Sequence, residues 1–131
     1  MKTLNLEVLP GNYAIHRLAP NSSIPAWALQ ATGFSSITRT SDELSIVCQT
    51  PKLELEDIQQ DAGWACLKLL GPFAFDLTGI LSSILNPLRD AEIGIFAIST
   101  FDTDYVLVKL ENLERCILAL ERAGHTIRKE L

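Results

Sequence analysis

Positive charge is scarce in this chain. Eleven lysines and arginines face sixteen aspartates and glutamates, for a formal net charge of −5 and a pI near 4.9. Binding nucleic acid requires clustered cations that displace counterions from phosphates, so that class is excluded. Long apolar runs are missing too, and none approaches the ~20 residues that span a bilayer. Met1 to Leu6 lacks the charged start and apolar block of a secretory signal. Cysteine is limited to Cys48, Cys66 and Cys116, with no Cys-x-x-Cys pair, and His16 and His125 stand far apart. Zinc ligands come at short spacings, so no metal is expected. Each cysteine lies in an apolar stretch and reads as a small buried hydrophobe. Free thiols suit the reducing cytoplasm. There is no Gly-x-Ser-x-Gly, no phosphate-cradling glycine loop and no His-Glu-x-x-His. Neither histidine has a local carboxylate partner, and both are expected at the surface or at a sheet edge. Catalysis has little to stand on, and no cofactor is expected.

Apolar mass, by contrast, is plentiful. Of 131 residues, 47% are hydrophobic and 21% charged, enough for a chain of this size to bury roughly two-thirds of its unfolded surface. Leu4 to Leu9 reads as a strand closed by Pro10-Gly11, and Asn12 to Leu18 extends it or pairs with it. Pro25 to Ala31 reads as a short helix with Pro in its first turn, capped by Ser22 or Ser23. Phe34 to Thr40 and Glu43 to Gln49 form a hairpin. Leu53 to Gln60 is acidic, with room for one or two helical turns, and Asp61-Ala62-Gly63 breaks the chain. Trp64 to Leu70 is a strand. Leu77, Ile80, Leu81, Ile84, Leu85 and Leu88 then fall at i, i+3, i+4, i+7, i+8 and i+11, one apolar stripe of a helix that Pro87 should weaken near its end. Ile93 to Thr100 and Tyr105 to Leu110 are strands. Leu110, Leu113, Ile117 and Leu120 mark a second helix ending at Gly124, and His125 to Lys129 is a polar edge strand.

After residue 63 the order is strand, helix, strand, strand, helix, strand, the split arrangement of a ferredoxin-like α+β sheet with helices on one face. Ile93 to Ile98 is apolar on both sides, so its second face is expected to be covered. A shift of 61 residues overlays the two halves: Leu6, Val8 and Leu9 fall on Leu67, Leu69 and Leu70, Gly33 on Gly94, and Glu43, Leu44, Ile46 and Val47 on Asp104, Tyr105, Leu107 and Val108. This indicates a duplicated unit, 1–62 and 63–131, with the first copy degenerate because its second helix is poor.

Two segments can carry chemistry. Phe75-Asp76-Leu77-Thr78-Gly79-Ile80 leads into the apolar helix. The first amides of a helix have no intrahelical acceptor and attract carboxylates and phosphates. Gly79 lets a ligand approach the backbone, and Asp76 or Thr78 can cap. In Ile98-Ser99-Thr100-Phe101-Asp102-Thr103-Asp104-Tyr105, Asp102 and Asp104 would point the same way on an extended strand. Such a pair suits an ammonium or guanidinium group or a divalent cation. This hairpin need not lie near the helix start within one unit, and can meet it across a two-unit interface.

These segments, together with Glu43-Leu44-Ser45-Ile46-Val47-Cys48, Gly71-Pro72-Phe73, Pro87-Leu88 and the run Ile93 to Tyr105, resemble the small bacterial tandem ACT-domain proteins. They are similar to the ACT domains of the CASTOR arginine sensors and, more distantly, of aspartokinases. The resemblance implies a ferredoxin-like ACT fold of two tandem βαββαβ-type units packed together, and a regulatory module without catalysis that binds a free amino acid at an ACT–ACT interface. It implies a homodimer or higher homo-oligomer, in the cytoplasm. It places the ligand's backbone by Gly79 and Ile80, flanked by Asp76 and Thr78, and the wall of the pocket at Thr100, Phe101, Thr103 and Asp104. Leu77 stands where the arginine sensor has an acidic residue, and Thr103 where it has an aromatic, so a guanidinium is held less well. Two other readings stand beside this one: an ACT-fold oligomerisation or protein-interaction module that has lost its ligand, and a small enzyme using Asp76, Asp102 and Asp104.

Overall fold

A computed structural model describes residues 3–71 and 79–129. Its elements, in chain order, are β1 (Asn5–Val8), β2 (Tyr13–Leu18), α1 (Ala26–Leu29), β3 (Ser36–Arg39), β4 (Leu44–Gln49), β5 (Gln59–Leu69), α2 (Ile80–Asp90), β6 (Ile95–Ser99), β7 (Asp104–Lys109), α3 (Leu113–Arg122) and β8 (Thr126–Lys129). No helix among the described residues is long and apolar enough to cross a membrane. The chain divides into two compact units, Gly11–Trp64 and Met1–Pro10 with Ala65–Leu131.

In the unit Gly11–Trp64 the strand order is β3-β4-β2-β5, every neighbour antiparallel. Leu44, Ile46 and Cys48 alternate along β4 onto one face, where with Leu18 and Ala28 they form a core that Trp27, Ala31, Ile37 and Ile58 complete. The helix α1 is a single turn behind Pro25, and no side chain caps it, so the expected cap from Ser22 or Ser23 is not made. The helical turn or two expected over Leu53 to Gln60 does not form: residues 50–58 contain no helix, and Gln59 and Gln60 already belong to β5. The expected break at Asp61-Ala62-Gly63 is instead a bulge inside β5. Tyr13 pairs with Trp64 and Ile15 with Asp61, and Gly63 takes a positive φ of 83°. Two residues thus oppose one, and the glycine absorbs the left-handed turn this requires.

The other unit carries β6-β7-β5-β1-β8. Its strands β5, β6, β7 and β8 alternate with α2 and α3 as the sequence pattern indicated, but the middle holds an added strand. Leu6 faces Leu69 and Val8 faces Leu67 across an antiparallel pair, while β1 runs parallel to β8 from Asn5↔Thr126 to Val8↔Lys129. The 61-residue shift lays Leu6 on Leu67 and Val8 on Leu69, whereas the two strands pair with each other in the opposite sense, and residues 1–10 cluster with the later half rather than with residues 11–62. Leu6, Val8, Leu67, Leu69, Val106 and Val108 share one core with Ile80, Ile84 and Leu88 of α2 and Cys116 and Leu120 of α3. Burying each large side chain of this kind is worth about 1.5–3 kcal/mol.

Helix α2 runs past Pro87 to Asp90. Among the described residues β6 pairs only with β7, and its Ile95, Phe96 and Ile98 are half-buried within this one chain. Neither histidine is at the surface: His16 is 0% exposed and His125 4%.

Candidate functional site

Helix α2 begins behind Gly79, which sits in the left-handed region at φ 79° with no side-chain cap. Gly79 is exposed, and among the described residues a Cβ there would meet only Ser82 Oγ at 3.8 Å. The first intrahelical bond runs from the Ser83 N–H to the Gly79 carbonyl, 3.1 Å. The amides of Ile80, Leu81 and Ser82 therefore have no acceptor within the helix. Ser82 Oγ donates to the Gly79 carbonyl at 3.2 Å and Ser83 Oγ to the Ile80 carbonyl at 2.7 Å, fixing the first turn. Asp76 and Thr78, with Leu77, lie outside the described residues.

The hairpin between β6 and β7 is built around a four-residue turn. The Thr100 N–H donates to the Thr103 carbonyl at 2.8 Å, and Thr100 Oγ1 also donates to it at 3.1 Å. Phe101 at the tip is 79% exposed. Asp102, inside the turn, is exposed and off the extended strand, so the alternation expected to align it with Asp104 does not apply. Asp104 opens β7 opposite Ser99, whose hydroxyl donates to its carboxylate. That partner was legible in the sequence as the other flank of the same turn, and was missed. Thr103 is buried, and its hydroxyl donates to the Leu69 carbonyl at 2.6 Å. It is an anchor for the hairpin, not an open wall.

That anchor places the hairpin beside the end of β5. Among the described candidates, Gly79 and Ile80 stand at the start of α2, and Thr100, Phe101 and Asp104 at the hairpin, where they present an exposed aromatic face and a carboxylate.

The remaining titratable groups serve the cores. Burial pushes the Cys66 and Cys116 thiols up to about 12 and raises Cys48 as well. Burial lowers the His16 pKa, with the Ile46 carbonyl working the other way. His16 Nδ1 lies 3.0 Å from that carbonyl and Nε2 3.0 Å from Gln60 Nε2, and its ring packs 4.7 Å from Trp27. Among the described residues no group of three His, Cys, Asp or Glu side chains is placed to hold a metal ion.

Comparison with known proteins gives a consistent picture. A family model described as the ACT domain matches residues 59–122, and a second, described as an N-terminal domain, matches residues 11–54. The chain is 37% identical over 60 residues to the cytosolic arginine sensor for mTORC1 subunit 1 of Homo sapiens, covering 45% of this chain and 18% of the sensor. It spans between 18% and 56% of the length of the curated relatives it matches first. A crystal structure of an Agrobacterium tumefaciens protein is 47% identical, with TM-score 0.92 over 100% of this chain and 96% of that one. The regulatory subunit of aspartate kinase from Thermus thermophilus, at 11% identity, shares the fold with TM-score 0.67 over 94% and 99% of the two chains.

Proposed function

Because this chain belongs to the ACT-domain proteins, of the type found in CASTOR and the aspartokinases, we propose that it is a regulatory module that binds a free amino acid and does no chemistry of its own. The observation that carries this reading is the uncapped start of α2, where an exposed left-handed Gly79 leaves three amides without intrahelical acceptors. A carboxylate is the ligand group such a helix start favours. The ammonium of the same ligand finds an acceptor in Asp104, held in place by Ser99, and its side chain finds the face of Phe101. Thr103 spends its hydroxyl on Leu69, and no aromatic stands there to cover a guanidinium. We therefore read the occupant as an amino acid other than arginine, unlike the sensor named above.

Binding orders the residues that make the site, and that ordering is the signal. The reading includes a homo-oligomer, in which a second copy of the chain closes the pocket, and residence in the cytoplasm, which three free buried thiols suit.

Thermal unfolding against each common amino acid at millimolar concentration tests this. One or a few raise the midpoint, since a ligand at 100 times its Kd adds about 2.7 kcal/mol, and Asp104→Asn and Phe101→Ala diminish the rise. No shift with any amino acid overturns the reading. A second reading, an oligomerisation module without ligand, is favoured by β6: it carries no charge and its Phe96 and Ile98 are half-exposed. Self-association in the absence of amino acids, with no thermal response to them, selects it.

A further inference from the structure

We propose that His125 is the positioning residue for the start of α2, coupling the amides of the candidate site to the inserted strand β1. This rests on the amino-acid-binding reading for its functional consequence. The geometry stands apart from it.

Pro87 lies inside α2. In an α-helix the N–H of residue 87 would donate to the carbonyl of residue 83, and proline has none to give. The Ser83 carbonyl is thus left without its helical donor. His125 Nε2 lies 2.9 Å from that carbonyl. The other ring nitrogen, Nδ1, accepts the Leu4 N–H at 3.0 Å. These partners allow one form of the ring: Nδ1 bare because an N–H points at it, Nε2 protonated because a carbonyl faces it. The ring is 4% exposed, so water does not replace either partner.

On the strand side, the imidazole does the work of a peptide carbonyl. The Thr126 N–H donates to the Leu4 carbonyl at 3.0 Å, just ahead of the parallel ladder that starts at Asn5↔Thr126. His125 Nδ1 adds the adjoining rung. The ring is delivered there by the end of α3, where Gly124 takes φ 101° and the His125 N–H returns to the Leu120 carbonyl at 3.0 Å. On the helix side, Ser83 is the hub of the first turn. Its N–H holds the Gly79 carbonyl and its hydroxyl holds the Ile80 carbonyl. A continuous hydrogen-bonded path therefore runs from Leu4 through His125 and Ser83 to Gly79 and Ile80. A ligand that stiffens those two residues stiffens the hold on β1, and by reciprocity β1 influences the ligand.

Pro87 and His125 can be separated by a double-mutant cycle. His125→Asn keeps an acceptor near Leu4 but reaches no further, so it weakens amino-acid binding about tenfold. Pro87→Ala restores the missing helical donor to Ser83, so it leaves binding unchanged alone and rescues His125→Asn. His125→Gln, which keeps a donor for Ser83 and loses the Leu4 acceptor, retains binding and releases the Leu4 amide to exchange. Imidazole ¹⁵N shifts of the unliganded protein show the Nε2–H tautomer. If His125→Asn binds as the parent does, or Pro87→Ala fails to rescue it, the proposal is overturned. Should no amino acid bind the parent protein, the functional reading falls. The cycle is then read on the Ser83 amide, which exchanges about tenfold faster in His125→Asn and recovers with Pro87→Ala; an unchanged rate overturns the positioning role.

Discussion

The two units use the same strand–helix–strand–strand plan and furnish it differently. Gly11–Trp64 has one helical turn and a helix-free segment at residues 50–58. The later unit has helices of 11 and 10 residues and one strand more. The difference extends to their buried imidazoles. In the first unit Nδ1 of His16 faces a backbone carbonyl, and Nε2 faces an exposed glutamine amide that can turn its oxygen inward. In the second unit the roles of the two nitrogens are exchanged, and Nδ1 of His125 faces a backbone N–H that cannot turn. One plan can thus rest on a pliant contact in one unit and on a fixed contact in the other. The fixed contact lies where the candidate site is.

The strongest way to sharpen the contrast is to remove helix-borne burial. Ile84→Ala in α2, a fully buried position, lowers the unfolding free energy in urea by about 2–5 kcal/mol. Leu29→Ala in α1, 68% exposed, changes it by no more than about 0.5 kcal/mol. Next is the hairpin. Thr103→Val leaves the Leu69 carbonyl without its donor and costs about 1–3 kcal/mol. Phe101→Ala at the tip leaves stability within about 0.5 kcal/mol. Equal losses at both would remove the distinction between anchor and wall.

The glycines that overlay in the repeat come next. Gly33→Ala places a Cβ at φ 73°, 3.0 Å from Gln49 Nε2 and 3.1 Å from Tyr13 Oη, and costs about 1–2 kcal/mol. Gly94→Ala, outside the left-handed region and facing open space, is neutral or gains up to about 1 kcal/mol. The smallest effect is titration of His16. Its folded pKa lies below the unfolded value of about 6.5, so the unfolded chain takes up the proton first. The stability it contributes is intact above that pH and declines as pH falls through the window beneath it. Denaturation midpoints between pH 7 and 5 record the decline, and His16→Gln flattens it.

Much of the second unit was legible because its signals are local. The stripe from Ile80 to Leu88, Gly124 as a helix stop and the Ser99–Asp104 turn each depend on neighbours within a few residues. What escaped was set by distant partners. Strand β1 has the same apolar alternation whether it belongs to the first unit or lies between β5 and β8, and only pairing across more than sixty residues decides. The overlay of Gly33 on Gly94 matched letters whose backbones differ. Both histidines were assigned to the surface or a sheet edge because their partners, three backbone groups and the Gln60 amide, are distant in sequence. Gly79 and the hairpin are candidates the sequence singles out by local signals, a glycine at a helix start and a polar turn. Thr103 was read as lining because its hydroxyl's acceptor, Leu69, is 34 residues away.

The central seat of β1 has a consequence for biosynthesis. Leu6 pairs with Ile127, 121 positions later, so β1 meets this neighbour only after that whole stretch has been made. Contacts this remote in sequence slow a folding reaction by the entropy of closing a long loop. On the ribosome, the flank of residues 5–8 that β8 takes stays unpaired until those later residues emerge.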